Sequence, residues 1–495
     1  MYFLGVDVGT SSVKVSVING ATQKVVAVAQ YPDQEAAIIS VHPGWAEQDP
    51  EQWWEFTQQA ILLANASGKY NPKEINGIGI AYQMHGLVVV DRNQTVLRNA
   101  IIWCDSRAVA IGDQAFQELG QQACLDSLLN SPGNFTASKL AWLKQNEPEI
   151  YEKIDQVMLP GDYIAMKLSG EISTSISALS EGVFWDFKKN EISKMVLDYY
   201  GFDRSIFPEI KPLFAEHGKV KTSIAEKLGL TPQIAIAYKA GDQPNNALSL
   251  NVTEPGEVAA TAGTSGVIYG VSDQLVFDTQ SRINTFAHVN YQPTAIRTGI
   301  LLCINGTGSL YHWGKKVLGE NLSYAQLNEM ASHVPIGSKG LSILPFGNGA
   351  ERMLNNKSIG AQVHNLDFNQ HHKAHLLNAM QEGIAFSFRY GLDMMRTNGL
   401  NPAVIKAGRA NLFLSDVFCK AFVGATKVPV SLFENDASLG AALGAGIGTG
   451  YYSNITDAFT EAKTAKLIEP KDIQQYEDSY QQWKSILEKS LTEYK

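Results

Sequence analysis

The stretch Asp7-Val8-Gly9-Thr10-Ser11-Ser12 joins a carboxylate, a glycine and a run of hydroxyls. Glycine lets a backbone turn tightly and lie close to a ligand. Thr10 and Ser11 add hydroxyls and backbone N–H groups, a donor set that suits phosphate oxygens. Asp7 offers the oxygen ligand that Mg²⁺ prefers; that ion keeps several waters and takes few carboxylates. The pattern returns about half a chain later as Ala262-Gly263-Thr264-Ser265-Gly266. Two such turns predict two related domains facing one nucleotide.

A different chemistry is available at Gly241-Asp242. A carboxylate at a strand-to-helix turn can accept a proton from a substrate hydroxyl; it can equally cap a helix. A third group comprises Gln83-Met84-His85-Gly86 and Trp103-Cys104-Asp105-Ser106-Arg107. Polar side chains at strand ends are the expected lining of a ligand cleft. Met84 and His85 would set one apolar and one hydrogen-bonding wall against a polyol, and Trp103 would offer it a ring face. Asp105 or Arg107 would bind hydroxyls, or pair with each other. Finally, Ile304-Asn305-Gly306-Thr307-Gly308-Ser309 opens a helix as an anion site or as a close-packed turn.

These residues need strands to carry them. Apolar, β-branched runs at 2–6 and 13–18 flank the first turn, and runs at 258–261 and 267–271 flank the second. Runs at 75–81 and 234–237 lead into Gln83 and Asp242. Asp49-Pro50 predicts a helix start. Glu434-Asn435-Asp436-Ala437 is expected to cap a small-residue helix over 438–446. Residues 251–256 read as the boundary between a domain at 1–250 and another at 251–495.

Composition narrows the classes. The chain has 495 residues, 45% apolar and 18% charged, as expected of a globular protein of two or more domains. No apolar run approaches a membrane span. The first residues read as a strand rather than a leader, so a cytoplasmic location is expected. Cys104, Cys124, Cys303 and Cys419 are scattered, which argues against disulfides or structural zinc. A net charge of −9 argues against a general nucleic-acid binder and leaves local donors and a metal to hold any phosphate.

Taken in order, these motifs resemble the FGGY carbohydrate kinases. The resemblance rests on Asp7-Val8-Gly9-Thr10-Ser11, Gly44-Trp45-Ala46-Glu47-Gln48-Asp49-Pro50, Gln83-Met84-His85-Gly86, Ile102-Trp103-Cys104-Asp105-Ser106-Arg107, Gly241-Asp242 and Gly263-Thr264-Ser265-Gly266, and spans Gly5 to about Gly446. It implies an α/β fold of two actin-like, ribonuclease-H-like domains with a cleft between them. It implies ATP and Mg²⁺, and transfer of the γ-phosphate to a sugar hydroxyl. Asp242 would be the catalytic base. Met84, His85, Trp103, Asp105 and Asp242 would contact the sugar. Thr10, Ser11, Gly263 and Thr264 would hold phosphates, with Gly308, Gly408 and Asn411 near the nucleotide and Asp7 positioning the metal. Within the family the motifs point to D-xylulose as acceptor. Another ketose, a polyol or an aldonate is the first alternative, and a non-catalytic sugar-binding module is the second. A homodimer is plausible by resemblance alone.

Overall fold

The computed structural model describes residues 1–319, 321–434, 437–461 and 464–493. The first turn lies in a hairpin. Tyr2–Val8 pairs antiparallel with Val13–Asn19, and Gly9 N donates to Ser12 O at 3.0 Å to close it. Val6, Val8, Val13, Val15 and Val17 are all fully buried, and β-branched side chains favour such pleated, packed surfaces. Val25–Tyr31 extends the hairpin on one side; Ile75–Tyr82 and then Ala235–Gly241 join parallel on the other.

The second half repeats this order. Val258–Ala262 pairs antiparallel with Gly266–Ser272, which pairs with Thr298–Ile304; Ile405–Gly408 and Val430–Phe433 join parallel on the other side. Asn284–Ala287 and Thr464–Ile468 extend its two edges into a seven-stranded sheet. The chain is therefore an α/β protein of two actin-like halves, as the resemblance implies. Parallel strands end at the same edge. Asp7, the Gln83–His85 turn and Asp242 thus leave one edge of the first sheet. Gly263–Thr264, Asn305–Gly308 and Gly408 likewise leave one edge of the second.

The halves are not packed separately. The helix Ala437–Gly448 lies against the strands of the first sheet and against the helix Asp242–Ser249. Its residues Ala441, Ala442, Leu443 and Ala445 share a core with Phe3, Ile18, Ala81, Tyr238 and Ala240. Backbone meets backbone here: a Cβ on Gly5 would lie 1.9 Å from Ser438 O, and one on Gly79 would lie 1.9 Å from Ala441 O. Small residues on both sides permit that approach. The expected cap of this helix falls on Asn435 and Asp436, outside the described residues. Among the described residues no helix is long and apolar enough to cross a membrane.

Candidate active site

A pocket of about 420 Å³ opens at the edge of the first sheet. Gly9, Thr10, Gln83, Met84, His85, Trp103 and Asp242 line it from the first half, and Ser265, Asn305 and Arg352 from the second. A larger cavity of about 700 Å³ lies beside the second sheet, lined by Gly263, Thr264, Gly308, Tyr311, Tyr324 and Asn411 among others. The second hairpin separates them. Gly263 and Thr264 face the larger cavity, and Ser265 faces the pocket.

Asp242 opens the helix Asp242–Ser249 directly after the strand Ala235–Gly241. It takes the first helical position, with Gly241 as the cap residue. Burial pushes its carboxyl up to about 6; bonds from Gln243, whose Nε2 donates at 3.2 Å, partly offset this. Glu181, at the end of the helix Ile176–Glu181, lies behind it. A Cβ on Gly241 would meet Met84 Cγ at 2.6 Å and Glu181 Oε2 at 2.7 Å. Only glycine lets Asp242, Met84 and Glu181 crowd together. Burial pushes Glu181 well above the usual carboxylate range, and the charges of Asp242 and Asp162 push it further.

His85 is held in the left-handed region at φ 62°. Such a conformation is uncommon for a side-chain-bearing residue and persists where surrounding contacts fix it. Here the buried Lys139 donates from Nζ to His85 O at 2.9 Å, and His85 Nδ1 lies 2.9 Å from Glu181 O. A carbonyl oxygen only accepts, so Nδ1 carries the hydrogen and Nε2 holds a lone pair. Burial, with Lys139 nearby, pulls the imidazole down to about 3, so the ring is neutral. The ring meets Phe135 at right angles, edge to face, and Phe286 at a tilt, with centroids at 4.9 and 5.4 Å.

The first turn is held by a chain of amides. Trp103 Nε1 donates to Thr10 Oγ1 at 3.0 Å, and Thr10 Oγ1 donates to Gln83 Oε1 at 3.2 Å. Gln83 Nε2 donates to Gln48 Oε1 at 3.1 Å, and Gln48 Nε2 donates to Thr10 O at 2.7 Å. Trp103 remains 47% exposed, with its ring available at the pocket mouth. Ser11 is exposed and lines neither cavity; its carbonyl accepts from Ala36 N at 2.8 Å.

Asp105 corrects an expectation. It is fully buried and does not line the pocket. Arg107 grips it from Nε at 2.9 Å and Nη2 at 2.7 Å, and Ala46 N donates to Oδ2 at 2.6 Å. Arg107 in turn lies 3.8 Å from the Trp45 ring centroid and 2.7 Å from Glu47. A buried carboxylate has to be paired. Asp105 and Arg107 satisfy each other under the Trp45 loop, so neither is offered to a hydroxyl.

The turn at Asn305–Ser309 is likewise close-packed rather than an open anion site. Gly308 N donates to Gly263 O at 2.9 Å and Ser309 N to Thr264 O at 3.1 Å. Asn305 N and Gly306 N donate to Glu351 at 2.9 and 3.2 Å. A Cβ on Gly308 would sit 2.1 Å from Gly263 O. The missing side chain is what lets the helix Thr307–Leu318 dock on the hairpin beside the cavity. Asn411, at φ 53°, lines that cavity, whereas Gly408 ends its strand and does not.

The larger cavity has the size and lining for a nucleotide, with the stacked rings of Tyr311 and Tyr324 on one wall. For the metal, Asp7 is level with Ala81, and Ala81 with Ala240. The two parallel steps place Asp7 about 10 Å across the sheet from the strand that leads into Asp242. Among the described residues no group of three or more His, Cys, Asp or Glu could hold a metal ion. Asp7 alone, with phosphates and water, would make the open kind of site that Mg²⁺ takes.

Of the sequence-predicted residues, the pocket gathers Thr10, Met84, His85, Trp103 and Asp242, and the larger cavity gathers Gly263, Thr264, Gly308 and Asn411. Sequence reasoning passed over Lys139, Glu181, Glu351 and Arg352. Only the adjacent charges Glu351-Arg352, two residues after the Gly347-Asn348-Gly349 turn, offered a signal.

Comparison with known proteins follows the same lines. Residues 2–249 match the N-terminal domain of the FGGY family of carbohydrate kinases. The chain is 30% identical over 415 residues to the xylulose kinase of Haemophilus influenzae, covering 82% of each chain. It is 28% identical to the xylulose kinase of Bacillus subtilis, covering 98% of this chain and 96% of that one. The crystal structure of xylulose kinase from Rhodospirillum rubrum superimposes with a TM-score of 0.86 at 25% identity, covering 99% of both chains.

Proposed function

This chain belongs to the FGGY family of carbohydrate kinases and is a sugar kinase; from that premise we propose that its acceptor is D-xylulose and its product D-xylulose 5-phosphate, with ATP as donor. The observation that carries the reading is the shared wall. One hairpin faces a nucleotide-sized cavity with Gly263 and Thr264 and faces the Asp242 pocket with Ser265. A phosphoryl group leaving the first cavity at that hairpin enters the second.

The residues divide the work. Met84, His85 and Trp103 hold the ketose. His85, neutral, accepts a hydroxyl hydrogen at Nε2. Asp242 orients the terminal O5 hydroxyl and takes its proton as the oxygen attacks. A carboxylate near pKa 6 is mostly ionised at neutral pH and still basic enough to accept that proton. Thr10 and Thr264 meet the phosphates from opposite halves. Asp7 would hold Mg²⁺ through water, and that ion, when bound, supplies charge neutralisation on the phosphates. Closure of the halves excludes water, which otherwise competes as acceptor.

The test is ADP release from Mg-ATP, without sugar and then with D-xylulose, D-ribulose, L-ribulose, L-xylulose, glycerol and gluconate in turn. A large rise with D-xylulose alone is expected. A rise with a different acceptor keeps the kinase and overturns the substrate.

A further inference from the structure

Arg352 opens the short helical turn Arg352–Leu354 in the second half, yet its guanidinium reaches the first. Its Cζ lies 5.4 Å from the Phe135 ring centroid, and a Cβ on Gly133 would meet its Nη2 at 3.3 Å. It lines the acceptor pocket. Among the described residues no carboxylate lies within ion-pair distance of it, Asp113 acts on it only from further off, and its Nη1, shut away from solvent, has no hydrogen-bond partner. The other arginine of the pocket, Arg282, is already gripped by Asp278 at 2.8 Å. Arg352 is therefore a fixed cation with donors to spare. Leaving such donors unmet in a buried site is costly.

Phe135 also carries the ring of His85, so the two side chains share one aromatic platform. One presents donors only. The other presents the Nε2 lone pair, because Nδ1 is committed to Glu181 O. We propose that Arg352 and His85 together read an α-hydroxyketone: Arg352 donates to the carbonyl oxygen and His85 Nε2 accepts from the neighbouring hydroxyl. Resting on the acceptor pocket proposed above, this makes Arg352 the residue that selects ketoses over the polyols from which they differ by two hydrogens. It also makes full sugar binding depend on both halves, since the carbonyl reader arrives from the second.

The experiment compares D-xylulose with xylitol, by calorimetric binding and by kcat/KM, for the wild type, Arg352→Met and Arg352→Lys, with melting temperatures confirming that each variant folds. The wild type is expected to bind the ketose more tightly. Arg352→Met is expected to lose about 10- to 100-fold on D-xylulose, mainly in KM, the worth of one hydrogen bond to a charged group. It should lose less on xylitol, whose tetrahedral C2 hydroxyl lies out of the plane that the carbonyl oxygen occupies and is the poorer acceptor for a guanidinium placed there. Arg352→Lys should recover part of the loss. Equal losses on both ligands would mark a structural role and overturn the proposal, as would equal wild-type affinity for ketose and polyol. If the wild type ignores D-xylulose but prefers D-ribulose or D-fructose to the matching polyol, the carbonyl reader stands and the substrate reading falls.

Discussion

The indole of Trp103 donates to the hydroxyl of Thr10 at 3.0 Å, fastening the mouth of the pocket to the turn after the first strand. Thr10→Val and Trp103→Phe each break the same bond. Their effects on kcat/KM should therefore be non-additive, with a coupling of about 0.5–1.5 kcal/mol in a double-mutant cycle. Strict additivity would mean that the two residues act independently.

Asp242 should govern the acid side of the rate profile. A carboxylate acting as base must be ionised, so in the proposed role kcat/KM should rise with pH through about 6 and level off above. Asp242→Ala should lose about 10²–10⁴-fold in kcat, the usual worth of general acid–base catalysis. A folded variant with near-normal turnover removes Asp242 from the role of base.

Glu181 should behave as a neutral acid. Its folded pKa stands well above the unfolded Glu value of about 4.3. The folded state thus holds a proton that the unfolded state gives up, and wild-type stability falls as pH rises above that value. Glu181→Gln, an uncharged isostere, should escape this loss and be more stable than wild type at pH 8 than it is at pH 5, by denaturant titration. Its kcat should stay within about 3-fold of wild type. A tenfold fall would show that the ionised carboxylate is used.

Gly79 should resist any side chain. Its Cβ position falls 1.9 Å from Ala441 O, a backbone atom that no rotamer change relieves. Gly79→Ala should cost about 1–3 kcal/mol or more by denaturant titration, the range for overpacking a core. An unchanged midpoint would mean that the helix shifts freely on the sheet.

Much of this architecture is legible in the chain because hairpins are local. Apolar runs on either side of Gly9 and Gly263 specify strand, turn and strand without reference to anything distant. The gathering of Thr10, Met84, His85 and Asp242 follows once parallel strands are recognised, since their ends share an edge. Asp105 shows the limit of such reading. A carboxylate two residues before an arginine looks the same whether it faces a sugar or is sealed under Trp45. Arg352 shows the converse, for its place against Phe135 exists only after the two halves meet. The small-residue run over 438–446 reads as a helix in the sequence, but nothing in it named the sheet it would cover.

That helix also sets an order of events during synthesis. The first sheet has all its strands once Gly241 is made, yet its cover ends at Gly448. A ribosome must add about 200 residues in between, on the order of 10–40 s at ~5–20 residues per second. Throughout that interval the nascent chain carries a finished sheet with one greasy face bare. Chaperone capture, or a truncated transcript, would act on the protein at this stage, and a stop anywhere before the last turn of that helix would spoil the half of the molecule already built.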